Sequence, residues 1–240
     1  MELFYSKNIS EGELFLDQEE SNHCIKVLRH HKGEQINVVD GHGMLYLCTI
    51  TDDNPKRVCY SIDEFVENYG SHNYSLLMAV APPKNMERFE WFAEKATEIG
   101  VDRIVPLFGD YSERKVFKAE RVERILVSAA KQSHKGRIPQ LDEAVSVKRF
   151  LEDFAEEGTR KLICYCDEVE SLGARKISVT EAIAGAENVA VMIGPEGDFS
   201  RSEIKLAIEK GWQPVSLGDS RLRIETAAVV ATAAVYLRNI

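Results

Sequence analysis

Residues 189–227 read VAVMIGPEGDFSRSEIKLAIEKGWQPVSLGDSRLRIETA, and this stretch decides the fold. The apolar run Val189–Ile193 stops abruptly at the sequence GPEG of residues 194–197. A short apolar run bounded by Gly and Pro is typical of a buried parallel strand. Ser200 and Glu203 have the spacing of a capping box, which predicts that a helix begins there.

A second strand and a second loop follow this helix. Gly211 marks the end of the helix, Trp212–Leu217 is predicted as the next strand, and Gly218–Arg223 is a glycine loop before a helix from about Ile224. Ligands of open α/β sheets bind at the carboxyl ends of strands, and both loops lie at such ends. The two loops are therefore the first candidate for a binding site.

Each loop also has a simpler interpretation. The GPEG sequence alone fits a tight turn about as well as a backbone cradle, in which glycines let main-chain groups approach a ligand. It lacks the Lys-Ser/Thr pair of a phosphate-binding P-loop. Surface ion pairing would account for the charges from Arg221 to Glu225, but Arg223 and Glu225 adjoin an apolar helix where unused charge is costly. No spacing of Ser, His or Cys suggests a catalytic triad or a metal site.

Strands and helices alternate through residues 74–240. Tyr74–Ala81 is predicted as a strand, Asn85–Ile99 as an amphipathic helix and Val101–Phe108 as a strand, and the alternation continues to the end. This order predicts an α/β domain with a parallel sheet that helices cover on both faces.

The first 68 residues have a different pattern. Their short β-branched and aromatic segments predict strands, interrupted by one helix at about Glu19–His30. Asp40–Gly43 has the composition of a hairpin turn. Short strands with one helix are typical of a small barrel. We place a linker at residues 67–73, which are polar and contain a glycine.

Composition excludes several classes of protein. No apolar run reaches the roughly 18 residues that a membrane helix needs, and the closest, Ala227–Leu237, is predicted as a buried helix. The first ten residues, MELFYSKNIS, do not have the pattern of a signal peptide. The five cysteines are scattered without a CxxC pair, which favours neither zinc nor a disulfide framework. We therefore expect a reduced, cytoplasmic protein without a metal.

Charge gives two opposed indications about nucleic acid. The net charge of −9 argues against such a partner. However, residues 112–137 contain eight Lys and Arg against three Glu, a local excess of the kind that binds phosphate. A smaller basic cluster lies at residues 23–32. Solvated helix faces would explain either run when it is taken alone.

The order of several motifs resembles the bacterial small-subunit (16S) ribosomal RNA uridine-N3 methyltransferase family, which belongs to the SPOUT class of trefoil-knotted enzymes. The resemblance covers nearly the whole chain, and the pair GPEG and LG…LRxETA in this order is its most specific part. The matching segments are HCIKVLR (23–29), ERFEWFAEKATEIGVDRIVPL (87–107), SERKV (112–116), KQSHKGRIP (131–139), IGPEGDFS (193–200) and LGDSRLRIETAAV (217–229).

This resemblance implies a fold, a cofactor and partners. Residues 1–68 would form a PUA-like β-barrel that binds RNA, and residues 74–240 a trefoil-knotted α/β methyltransferase domain. The cofactor would be S-adenosylmethionine, held in loops at the knot. The substrate would be small-subunit ribosomal RNA, either free or in the assembled small subunit, and the enzyme would be a homodimer.

The resemblance also implies site residues. For catalysis it favours Arg223, with Arg221 second, as the positive group beside the target base. Tyr165 and Cys166 would border the pocket. The implied cofactor-binding residues are Ile193, Gly194, Pro195, Glu196, Gly197, Leu217, Gly218, Leu222, Glu225, Thr226 and Ala227, and the implied RNA-binding residues are His23, Arg29, Arg114, Lys115 and Arg137.

This chain departs from the family pattern at two places. The family often has Arg where Ser220 stands and an aliphatic residue at Arg221, so the two are exchanged here. It also commonly has Glu at Lys131 and Arg at Lys135. Which arginine contacts the RNA base is therefore left open between Arg221 and Arg223.

Two other functions compete with methyl transfer. One is an RNA-binding ribosome assembly factor without catalysis, which the intact cofactor loops disfavour. The other is a nucleotide-binding enzyme on an ordinary doubly wound sheet. That fold needs a glycine fingerprint after its first strand, and residues 81–84, APPK, do not provide one.

Overall fold

The computed structural model describes residues 2–166 and 175–240, and its contacts divide the chain into two compact units. The first unit comprises residues 1–72 together with residues 126–138. The second comprises residues 73–125 and 139–240. Within the described residues, no helix is both long and apolar enough to cross a membrane.

The first unit is built on a mixed sheet of strands β1 (Leu3–Tyr5), β2 (Gln35–Val39), β3 (Leu45–Asp52) and β4 (Cys59–Val66), in that order. β1 pairs with β2 in parallel, whereas β2, β3 and β4 are successively antiparallel. One of the short segments with a strand-like sequence, Glu13–Leu16, forms only a single bridge, between Phe15 and Cys59. The core of this unit includes Phe4, Leu16 and Val38, which are all fully buried.

The predicted helix at about Glu19–His30 is present, but it ends at Val27 and changes its form along its length. The chain makes helix α1 (Gln18–Asn22), continues as a π-helix over His23–Val27 and then stops. The N–H of Leu28 donates to the carbonyl oxygen of His23 at 3.0 Å, a bond that spans five residues. Arg29 then takes a φ of +63°, a left-handed conformation that ends the helix.

Residues 126–138 complete the first unit, which the sequence did not indicate. Arg137 forms bridges with Gly41 and His42 in the predicted hairpin turn, and the N–H of Gly136 donates to the carbonyl oxygen of Tyr69 at 3.1 Å. Helix α3 (Ala119–Gln132) therefore begins in the second unit and ends in the first.

A buried ion pair holds this segment in the first unit. The ammonium group of Lys131 lies against the carboxylate of Glu20, which also accepts a hydrogen bond from the N–H of Tyr5 at 3.3 Å. Burial raises the pKa of Glu20, and the charge and hydrogen bond of Lys131 oppose this shift. Lys131 thus has a structural partner, although it lies in residues 112–137, whose excess of Lys and Arg is of the kind that binds phosphate.

The second unit has the parallel sheet that the alternation predicts. In the described residues the strand order is β10-β12-β9-β11-β5-β6-β7, with β8 also paired to β6, and each of these pairs is parallel. The strands are β5 (Ser75–Val80), β6 (Arg103–Phe108), β7 (Gln140–Leu141), β8 (Val145–Ser146), β9 (Arg160–Cys164), β10 (Ile177–Ser178), β11 (Asn188–Ile193) and β12 (Gln213–Ser216).

Helices cover this sheet because its strands are apolar on both faces. On one face Trp212 and Phe150 pack against strand side chains such as Leu77, and the helices there are α4 (Val147–Asp153) and α6 (Arg201–Glu209). On β5, Leu76 and Met78 are buried outside this cluster. The other helices are α2 (Met86–Ile99), α5 (Val179–Ala182) and α7 (Ile224–Arg238), and α7 packs against α2, α5, β5 and β11.

We predict that Lys131→Met loosens the docking of residues 126–138 by roughly 3 kcal/mol, because it leaves the Glu20 carboxylate buried and unpaired. Amide hydrogen exchange over residues 126–138 measures this change. Folding raises the pKa of this carboxyl group, so its protonated form stabilises the folded state below the unfolded pKa. This stabilisation is lost as pH rises through the folded pKa. The defect should therefore be larger at about pH 7 than at about pH 4.

The exposed Lys26 of the same unit provides a control, and Lys26→Met should leave exchange over residues 126–138 unchanged. Equal protection of this segment in Lys131→Met and in the original protein at neutral pH would show that the ion pair does not hold it.

Candidate active site

A single cavity of about 1030 Å³ lies in the second unit, at the carboxyl ends of β9, β11 and β12. Both loops singled out in the sequence line it: the GPEG loop after β11 and the glycine loop after β12. The structure therefore brings the two loops together. Of the residues assigned to the cofactor, Thr226 does not line the cavity, and each of the other ten does.

The glycines of the GPEG loop are required by close packing. A Cβ atom added to Gly194 would lie 3.0 Å from the ring of Phe199, and one added to Gly197 would lie 2.9 Å from Cβ of Tyr111. Glu196 has an anchoring contact, because its carboxylate accepts a hydrogen bond from the N–H of Lys84 at 3.0 Å. The loop is thus fixed to the segments that follow β5 and β6.

Asp198 ties the GPEG loop to the end of β9, a role that the sequence analysis did not anticipate. Its backbone has a φ of +67°, and its carboxylate accepts hydrogen bonds from the N–H of Cys166 at 2.7 Å and of Phe199 at 2.8 Å. Asp and Asn tolerate the left-handed conformation better than most residues. An acidic residue directly after GPEG was the available signal, but its partner at Cys166 is 32 positions away.

The predicted capping box is present and extends beyond its own helix. The carboxylate of Glu203 accepts a hydrogen bond from the N–H of Ser200 at 2.7 Å and another from the N–H of Asp110 at 2.9 Å. The hydroxyl of Ser200 donates to the carboxylate of Asp110 at 2.6 Å. These bonds join the start of α6 to the turn after β6, which carries Tyr111.

The second loop opens onto the cavity. Gly218 has a φ of +114°, and a Cβ atom placed there would meet nothing within 4 Å. The N–H of Gly218 donates to the hydroxyl of Ser216 at 3.2 Å. Arg223 occupies the N-cap position of α7, and both Arg221 and Arg223 are exposed and line the cavity. The backbone at Gly218 is therefore accessible to a ligand.

Glu225 is a buried acceptor whose bonding capacity is partly unused. It is 8% exposed and lines the cavity, and its Oε1 lies 3.9 Å from Nε of Arg88. Its Oε2 is buried and has no hydrogen-bond partner among the described residues. Because a buried oxygen without a donor costs stability, Glu225 provides a ready acceptor for a ligand that carries N–H or O–H groups.

The end of β9 forms another part of the wall, as expected for Tyr165 and Cys166. Lys176 donates to the carbonyl oxygen of Tyr165 at 2.8 Å, and its ammonium lies 4.1 Å from the centre of the Tyr165 ring. Burial raises the pKa of the Cys164 thiol to about 12, which favours the protonated thiol at neutral pH. The sequence offered no signal for Lys176.

The cavity lining carries charges of both signs. In the described residues its basic members are Arg88, Lys176, Arg201, Arg221 and Arg223, and its acidic members are Glu196, Asp198, Asp219 and Glu225. A guanidinium of this lining can stabilise negative charge that develops in a reaction. In the same part of the chain, no group of three or more His, Cys, Asp or Glu residues is arranged as a metal site.

The predicted RNA-binding residues fall in both units. In the first unit, Arg29 and Arg137 are exposed, and Nε2 of His23 lies 3.5 Å from a carboxylate oxygen of Glu2. In the second unit, Lys115 is exposed, whereas Arg114 donates to the carbonyl oxygen of Lys84 at 2.8 Å. Part of the Arg114 guanidinium is therefore engaged in holding its own loop.

Comparison with known proteins places this architecture in a family. The profile of an RNA methyltransferase domain matches residues 71–236, and the profile of an RNA methyltransferase PUA domain matches residues 16–62. Ribosomal RNA small subunit methyltransferase E of Mycobacterium bovis is 30% identical over 235 residues, which make up 92% of this chain and 84% of that protein.

Solved structures agree with this assignment. A crystal structure of a "probable rRNA-methyltransferase" from Porphyromonas gingivalis superposes with a TM-score of 0.91, at 35% identity, over 100% of this chain and 98% of that one. Ribosomal RNA small subunit methyltransferase E from Neisseria gonorrhoeae, bound to S-adenosyl methionine, has a TM-score of 0.81 at 25% identity, over 98% and 96% of the chains. The chain therefore belongs to the RNA methyltransferase family that includes ribosomal RNA small subunit methyltransferase E.

Proposed function

We propose that this protein transfers a methyl group from S-adenosylmethionine to N3 of a uridine in small-subunit (16S) ribosomal RNA. The observation that carries the proposal is that the GPEG loop after β11 and the loop after β12 line one cavity at the carboxyl ends of two strands that flank β9. Family membership supports the reaction type, and the Neisseria gonorrhoeae relative was solved with the same cofactor.

The residues of the cavity fit this cofactor. Oε2 of Glu225 is buried and accepts no hydrogen bond from the part of the chain that the structure describes, and the ribose hydroxyls and the amino group of S-adenosylmethionine are donors. The open backbone at Gly218 allows close approach. When bound, the cofactor supplies a methyl group activated by a sulfonium. The residues that would hold it are Ile193, Gly194, Pro195, Glu196, Gly197, Leu217, Gly218, Leu222, Glu225 and Ala227, with Thr226 one position from the cavity lining.

Arg223 is the proposed catalytic group. Uridine N3 carries an imide proton, so negative charge develops on the uracil oxygens as this proton is lost. A guanidinium beside the base stabilises that charge, and correct orientation of the base supplies much of the remaining acceleration. Arg223 lies at the N-terminus of α7, next to the cofactor loop, and Arg221 is the second candidate on the same loop.

RNA phosphates are the proposed partners of basic residues in both units. In the first unit these are the exposed Arg29 and Arg137 and the partly buried His23, and in the second the exposed Lys115 and the partly buried Arg114. The first unit contains the match to the PUA domain, which supports RNA binding there. Phosphate contacts of this kind fix the register of the RNA and make its affinity depend on salt.

The remaining parts of the proposal concern assembly and location. The protein acts in the cytoplasm as a homodimer, and residues 74–240 form the trefoil knot of the SPOUT class, with residues 1–68 as a separate RNA-binding domain. The substrate is ribosomal RNA, either free or within the small subunit. An RNA-binding assembly factor without catalysis is the alternative function.

Methyl transfer from labelled S-adenosylmethionine tests the proposal directly. Small subunits from cells that lack this protein should accept label, and hydrolysis of their RNA should yield 3-methyluridine. Stable binding of subunits without any transfer of label would instead support the assembly factor.

Arg223→Ala should reduce turnover about 100- to 1000-fold while changing the affinity for S-adenosylmethionine little, because the guanidinium acts on charge that develops in the transition state. Steady-state kinetics and calorimetric titration of the cofactor measure the two effects. Arg221→Ala is the matched variant on the same loop and should have the smaller effect on turnover. Equal losses of turnover and cofactor affinity in Arg223→Ala would refute its assignment.

Arg29→Gly should have opposite effects on stability and on RNA binding. A left-handed conformation costs an L-residue about 1 kcal/mol, and this cost is absent for glycine. Replacing Arg29 by glycine should therefore stabilise the first unit by about that amount. Loss of one phosphate contact should lower RNA affinity and reduce the salt dependence, the slope of log affinity against log salt, by about 1.

Arg29→Lys is the control, since it keeps the charge and the strained conformation and should retain the salt dependence. An unchanged slope in Arg29→Gly would remove Arg29 from the RNA-binding surface.

A further inference from the structure

Tyr111 has no role in the reaction as derived above, and the geometry points to it as the aromatic platform on which the target base stacks at the cavity. This inference rests on the proposed function, because it requires a nucleotide to enter the cavity. Tyr111 is 57% exposed and lines the same cavity as the two glycine loops. A large aromatic ring left exposed beside a concave site is a common feature of ligand contact.

Cβ of Tyr111 packs directly against the GPEG loop. A Cβ atom at position 197 would lie 2.9 Å from Cβ of Tyr111, so only glycine allows the loop and the tyrosine to pack this closely. Gly197 belongs to the set of residues that would hold the cofactor. The Tyr111 side chain thus starts beside the loop that would hold the cofactor.

Two sets of hydrogen bonds hold the turn that carries Tyr111, one within the turn and one from outside it. Within the turn, the N–H of Ser112 donates to the carbonyl oxygen of Gly109 at 3.0 Å, and the hydroxyl of Ser112 accepts from the N–H of Gly109 at 2.9 Å. Ser112 is 6% exposed, so these bonds are shielded from water. Only the tyrosine side chain of this turn is directed to the cavity lining, while its neighbours hold the backbone.

Outside the turn, the brace is the hydrogen-bond network of the capping box. Glu203, which is 6% exposed, accepts from the N–H of Asp110, and the Asp110 carboxylate accepts from the hydroxyl of Ser200. A fixed turn presents its aromatic ring with little further loss of conformational entropy on binding. The backbone that carries this ring is therefore held in place before the RNA arrives.

Stacking is the interaction that the reaction needs at this place. Modification of a base requires that it be unstacked from its neighbours, which costs free energy that a new stacking partner offsets. An aromatic face accepts any base, so Tyr111 contributes affinity and orientation for the flipped base, whereas the choice of uridine depends on polar contacts elsewhere. Tyr111 is accordingly a positioning residue for the RNA and not for the cofactor.

Three substitutions test this role: Tyr111→Ala, Tyr111→Leu and Tyr111→Phe. Loss of one stacked base should reduce kcat/KM for the RNA about 10- to 100-fold in the Ala and Leu variants, and the Phe variant should stay within about twofold of the original protein. Kinetics with labelled cofactor and small subunits measure this, and calorimetric titration should show unchanged S-adenosylmethionine affinity in all three. Val116→Ala, at an apolar side chain of the same segment that is 65% exposed, is the control and should have no effect.

Each other outcome overturns the inference. Full activity in Tyr111→Ala or in Tyr111→Leu would show that no aromatic stack is needed. Loss of activity in Tyr111→Phe would assign the role to the hydroxyl group, and loss of cofactor affinity would place the ring on the cofactor. If the original protein transfers no methyl group, the proposed function itself fails, and that result is separate from a comparison among active variants.

Discussion

Three parallel strands end side by side at Cys164, and the site depends on this register. Cys164 of β9 pairs with Ile193 of β11 on one side and with Val215 of β12 on the other. Because neighbouring strands are about 4.8 Å apart, chain segments that leave these ends start within one ligand's width of each other. The order β12-β9-β11 thus places two loops that are 20 residues apart in sequence at a single cavity.

Hydrogen bonds between the loops and neighbouring segments then fix the shape of the site. Asp198 joins the GPEG loop to Cys166, two residues past the end of β9, and Glu203 joins the start of α6 to the turn that holds Tyr111. Glu225, by contrast, keeps a buried oxygen to which no described residue donates, at a cost of roughly 1–3 kcal/mol. A ligand that donates to this oxygen would recover that free energy, so the arrangement favours the bound state.

The sequence predicted the features that depend on local residue chemistry and on the spacing of apolar residues. The predicted features are the parallel sheet and the two loops that line the cavity, and they follow from the apolar runs, the Ser200–Glu203 capping box and the glycine loops. The sequence did not reveal Asp198, Lys176 or Tyr111 as part of the site, because their roles depend on partners 11 to 86 positions away. Nor did it predict that residues 126–138 join the first unit, since that depends on the contact between Lys131 and Glu20, 111 positions apart.

The proposed function requires both glycine loops to hold one methyl donor at the same time. Amide hydrogen exchange with and without S-adenosylmethionine measures each loop separately in the same sample. We expect the cofactor to increase protection in residues 194–198 and in residues 217–223 together, at the same cofactor concentration. Protection of only one loop, or of neither, would refute this mode of binding.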